Sequence, residues 1–122
     1  MKLRSALVFT ILAAGMALSA FAADINGKWT ATFDTQIGEQ HYTYTFKADG
    51  EKLTGTAKND NGSTEITNGT IKGDDVAFTE NLDFNGNQIV ITYTGKISGD
   101  EIKFTRKVGD FATEELTAKR VK

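Results

Sequence analysis

The stretch Asp75–Ser98, DVAFTENLDFNGNQIVITYTGKIS, decides the fold. Val76, Phe78, Leu82 and Phe84 alternate with polar residues, and Ile89, Ile91, Tyr93 and Ile97 do the same. A period of two puts each set on one face of a strand. Between the sets stands Asn85-Gly86, a dipeptide that accepts the positive φ angles of a tight hairpin turn. The stretch reads as a β-hairpin with one apolar face.

The pattern continues on both sides. Upstream, Lys28–Asp34 presents Trp29, Ala31 and Phe33; Gln40–Ala48 presents Tyr42, Tyr44 and Phe46; Lys52–Lys58 presents Leu53, Gly55 and Ala57. Ser63–Lys72 presents Gly69 and Ile71, with Ile66 out of phase, which predicts a bulge near Asn68-Gly69. Downstream, Glu101–Val108 presents Ile102, Phe104, Arg106 and Val108, and Thr113–Val121 presents Leu116, Ala118 and Arg120. The turns Asp49-Gly50, Gly73-Asp74 and Gly99-Asp100 join neighbouring runs, and proline is absent. Asn68–Thr79 repeats as Thr94–Thr105, one hairpin further on. Hairpins throughout make sequence neighbours sheet neighbours. The expectation is an all-β fold: an eight-stranded antiparallel up-and-down β-barrel, closed so that no edge is left exposed. A two-sheet sandwich is the alternative.

The start of the chain sets the compartment. Lys2 and Arg4 precede an uncharged apolar run, Ala6–Leu18, and Ala20-Phe21-Ala22 has the small residues of a cleavage site. Residues 1–22 therefore read as a cleavable signal peptide and 23–122 as one exported domain, periplasmic or secreted, with no membrane attachment after cleavage. The chain has no cysteine, which excludes disulfides, thiolate metal sites and a lipidated cysteine. Without Lys2 and Arg4, 12 basic residues face 16 acidic ones. That balance argues against nucleic acid as a partner.

Gly27-Lys28-Trp29 opens the first run and Arg120 closes the last. This pairing resembles the calycin pattern of lipocalins, fatty-acid-binding proteins and avidins. In that pattern an Arg of the last strand lies across the Trp of the first. The chain as a whole is similar to small secreted bacterial lipocalin-like domains. The resemblance implies a lipocalin- or streptavidin-like barrel, with Gly27, Trp29 and Arg120 as its structural signature. It does not carry a ligand over.

The hairpin order separates two ends. Trp29, Phe46, Leu53, Ile71, Val76, Ile97, Ile102 and Arg120 gather at a closed end with tight turns. Asp34–Glu39, Asn59–Gly62, Asn85–Asn87 and Gly109–Ala112 form longer connections around a mouth, above Tyr42, Phe84, Ile89 and Arg106. Two charges, Glu80 and Arg106, fall on the apolar face and need a partner or water. One reading is a structural pair completed by Tyr42 or Tyr93. The other is a ligand site in which Arg106 takes a carboxylate, lined by Tyr42, Tyr44, Glu80, Tyr93 and Phe84. Gly55, Ala57 and Gly95 leave room either for a ligand or for the aromatics opposite.

Catalysis has little support. His41, the one histidine, falls on the polar face. Glu80 is the one acid read as inward, so no glycosidase-like pair is visible. Asn59-Asp60-Asn61-Gly62 lacks the spacing of a calcium loop. No cofactor and no metal are expected. The function classes left are a non-catalytic binding module for a small amphipathic ligand and an interaction domain that binds an exported protein or a glycan from outside.

Overall fold

A computed structural model describes residues 24–122, apart from the side chain of Phe84. The expected signal peptide and its cleavage after Ala22 lie outside the described residues. Nine strands follow one another: β1 (Gly27–Thr35), β2 (Gly38–Asp49), β3 (Lys52–Asn59), β4 (Gly62–Glu65), β5 (Thr67–Lys72), β6 (Asp75–Phe84), β7 (Asn87–Ser98), β8 (Glu101–Val108) and β9 (Ala112–Arg120). Each pairs antiparallel with its neighbours, and β1 pairs with both β2 and β9, so the sheet closes on itself. β4 and β5 are one strand interrupted at Ile66, which makes this an eight-stranded up-and-down barrel.

The interruption is the bulge expected from the phase of Ile66. The register of β5 against β6 shifts between Thr67 and Thr70, and Asn68 takes a φ of +53°. Asn is among the few side chains that tolerate that region. The extra residue lets both Ile66 and Ile71 point inward, where both are buried.

The core fills the lumen. Tyr44 of β2 reaches Phe78, Tyr93 and Phe104 on β6, β7 and β8, with ring centroids 5.6–6.1 Å apart. Phe78 stacks on Tyr93 at 4.3 Å. Gly95 answers one of the open questions about small residues. A Cβ there would lie 2.5 Å from the Lys103 carbonyl oxygen and 2.6 Å from Cδ1 of Phe104, its cross-strand partner, so the glycine makes room for the adjoining backbone and an aromatic ring.

Two expectations need correction. The mouth connections are not long. β1 and β2 are joined by Gln36-Ile37, β3 and β4 by Asp60-Asn61, and β6 and β7 by Asn85-Gly86. Ladder hydrogen bonds use the backbone, so pairing runs on past the last apolar residue. The closure is also narrower than a full strand pair. β1 and β9 share only Trp29–Arg120 and Thr30–Lys119, with the Val121 N–H donating to the Lys28 carbonyl at 2.9 Å. Beyond that point the strands part. A groove of about 760 Å³ separates Thr32, Phe33 and Asp34 from Glu115, Leu116 and Thr117.

Candidate functional site

Alternation along four strands brings five of the six candidate residues together. Tyr42 and Tyr44 come from β2, Glu80 from β6, Tyr93 from β7 and Arg106 from β8. All five are buried, with Glu80 1% and Arg106 4% exposed. The sixth, Phe84, lies in β6, and its side chain is outside what is described.

The five form one hydrogen-bonded network. Tyr42 Oη donates to Oε2 of Glu80 and Tyr93 Oη donates to Oε1, both at 2.9 Å. Arg106 Nε donates to Tyr93 Oη at 2.8 Å, and its Nη2 donates to Tyr42 Oη at 3.1 Å. Asn59 Nδ2 donates to Tyr42 Oη at 3.2 Å. Tyr93 has committed its proton to Glu80, so Tyr44 is the donor in the 2.9 Å contact between their hydroxyls. Each of the Tyr42 and Tyr93 oxygens thus accepts two bonds and donates one, leaving neither free for a ligand.

Arg106 and Glu80 are therefore coupled mainly through tyrosines. Their direct separation is 3.9 Å. The direct partner of Arg106 is Glu114 of β9, which accepts from Nη1. Glu114 overturns the reading of Glu80 as the one inward acid. It lies in phase with Leu116 and Ala118, two residues above the last apolar position, and that phase was its only signal. Its carboxylate is tied to the same guanidinium as Glu80, so the two acids do not flank an open space. Asn59, read as a loop residue, is the second missed member.

The guanidinium also lies 5.2 Å from the ring centres of Phe33 and Tyr42 and 5.6 Å from that of Tyr93. These faces lower the cost of burying the charge. Burial works against the Arg106 charge, but the tyrosine oxygens and Glu114 outweigh it and hold its pKa above the ordinary range. Burial pushes the Glu80 carboxyl up, against the pull of Tyr42, Arg106 and Tyr93. Burial, with Glu80 adding to it, pushes the Tyr42 phenol up to about 12, and burial raises Tyr44 and Tyr93 as well.

The signature residues meet at the other end. The Arg120 guanidinium lies 4.3 Å from the Trp29 ring centre. It donates to the Asp24 carbonyl at 2.6 Å and, through Nε, to Asp100 Oδ1 at 2.9 Å. Trp29 Nε1 donates to the Ile25 carbonyl at 2.9 Å. Gly27 precedes them at a φ of +119°. This is a plug that fixes the chain before β1.

His41 is exposed on β2, 3.3 Å from both Thr32 Oγ1 and Glu39 Oε1. Among the described residues, no group of three or more His, Asp or Glu side chains is placed to hold a metal ion. No family model, curated protein or solved structure matches the chain.

Proposed function

We propose that this chain is a non-catalytic interaction module of an exported compartment, a lipocalin-like barrel that recognises a partner protein from its outside. One observation carries the reading: the space in which a lipocalin-like barrel would hold a ligand is taken up by its own side chains. Tyr44, Phe78, Tyr93 and Phe104 meet across the lumen. Arg106, the group best suited to a ligand carboxylate, is engaged by Tyr42, Tyr93 and Glu114. Small eight-stranded barrels are commonly filled in this way. Export rests on the signal-like residues 1–22, and kinship with lipocalin-like domains on Gly27, Trp29 and Arg120.

The rival reading is a small amphipathic molecule in the barrel. It draws on Leu82, Ile89 and Val108, which are only partly buried near the mouth. A native mass spectrum of the protein purified from its producing cell separates the two. The expected mass is that of the processed polypeptide alone. A retained adduct of a few hundred daltons, lost on Arg106→Ala in a chain that still folds, supports the rival and overturns the proposal.

A further inference from the structure

The parting of β1 from β9 leaves two strand edges facing each other across the groove. The Lys28–Val121 bond sets the alternation, so Thr32 and Asp34 of β1 and Glu115 and Thr117 of β9 turn their N–H and C=O groups into it. None of the four has a ladder partner across the seam. Neither proline nor a bulge interrupts either edge, since the register of β1 on β2 and of β9 on β8 is continuous. The floor of the groove is apolar, made by Phe33 and Leu116 at 7% and 6% exposure.

Four charged side chains line this groove, and their order names what fits it. Lys119 stands at the closed vertex, paired with Thr30, and Lys103 flanks it from β8, level with Thr117. Asp34 and Glu115 stand further up, toward the mouth. All four are exposed, and among the described residues none is in an ion pair. Glu101 is in register with Lys119 on β8, but it lies outside the groove and forms no ion pair with the lysine. The groove is therefore cationic where it closes and anionic where it opens. An extended chain that enters from the mouth and ends at the vertex matches it. A C-terminus brings a carboxylate to Lys103 and Lys119, whereas an N-terminus brings an ammonium against them. A chain entering in that direction runs antiparallel to β1, the more stable of the two ladder geometries.

We propose that the seam between β1 and β9 binds the C-terminal tail of another protein as an added strand. About four residues, ~13 Å of extended chain, lie between the vertex and Asp34. Alternate side chains turn in onto Phe33 and Leu116, the backbone pairs with the free edges, and a basic residue upstream meets Asp34 and Glu115. This rests on the reading of the chain as an interaction module and names the surface it uses and the chemistry of its partner.

The probe is a library of random octapeptide C-termini displayed on phage and panned on the chain isolated from its producing cell. Enriched tails are expected to carry apolar residues at alternate positions and a basic residue a few places before the end. The tightest of them, synthesised, slows hydrogen exchange at the Thr32 and Thr117 amides. Amidation of its carboxylate weakens binding at least about tenfold. So does Lys103→Glu with Lys119→Glu, two exposed changes that leave the fold intact. Thr32→Pro, which removes a seam N–H, has the same effect, while Thr32→Val, which keeps that N–H, does not. Binding indifferent to amidation and to the lysine changes overturns the proposal. A tail that binds while the seam amides exchange freely overturns the seam but leaves an interaction module standing. Failure to enrich any tail overturns the seam as well, and together with a small molecule retained in the native spectrum it overturns both readings.

Discussion

Arg106 is the residue on which the interior turns. Its removal leaves buried Glu80 and half-buried Glu114 without their cation, and orphaned buried charges are among the costliest single defects. Arg106→Ala is expected to lose about 3–5 kcal/mol in urea denaturation. Arg106→Met with Glu80→Met is expected to lose less than the two single changes added together, because the pair is coupled through Tyr42 and Tyr93. Glu80 also sets a pH dependence. Burial raises its carboxyl above the ordinary range, so the folded protein binds that proton more tightly than the unfolded chain does. The resulting stabilisation is full below the unfolded value, about pH 4.3, and is lost as the pH rises through the folded value. Denaturation followed upward from the unfolded value of about pH 4.3 is expected to show this contribution declining with pH, and Glu80→Gln is expected to flatten that slope.

At the scale of the strand, alternation made most of the site legible. Period two assigned Tyr42, Tyr44, Glu80, Tyr93 and Arg106 to one face, and the structure brings those five together. The displaced phase of Ile66 marked the bulge at Asn68. Glu114 escaped because an acid at the start of a run looks like its polar boundary. Asn59 escaped because a turn signal hid the end of a strand. The parting of β1 from β9 was also beyond reach. Pairing between the two ends of a chain depends on how the whole cylinder closes, and no local pattern records it. The parting has a measurable consequence. The Val121–Lys28 bond fixes which backbone groups of each strand face the other, so those of Thr32 and Thr117 point into the seam. Their amides are expected to exchange with solvent orders of magnitude faster than that of Thr30 or those paired between β7 and β8, by hydrogen exchange read residue by residue. Equal protection along the full length of β1 contradicts the open seam.

For the molecule as a whole, three features point the same way. The lumen is packed with rings, the polar groups within it bond to one another, and the most exposed large apolar side chains, Ile37 and Phe111, stand outside it on hairpin tips. A carrier barrel has the opposite distribution, with its apolar lining inside and its charge around an accessible cavity. The fold class was legible from alternation and turns alone. Whether the cylinder was hollow was not, because Gly55, Ala57 and Gly95 suit a ligand and an aromatic ring equally well until the rings opposite are placed. The central claim is that this interior is dry and bonded to itself. It is tested most directly by the proton NMR spectrum of the wild-type chain in water near neutral pH. The hydroxyl protons of Tyr42, Tyr44 and Tyr93 are expected as resolved, slowly exchanging resonances, with no magnetisation transfer from bulk water. Hydroxyl signals lost to exchange, with water contacts to the Phe78 and Phe104 rings, contradict it.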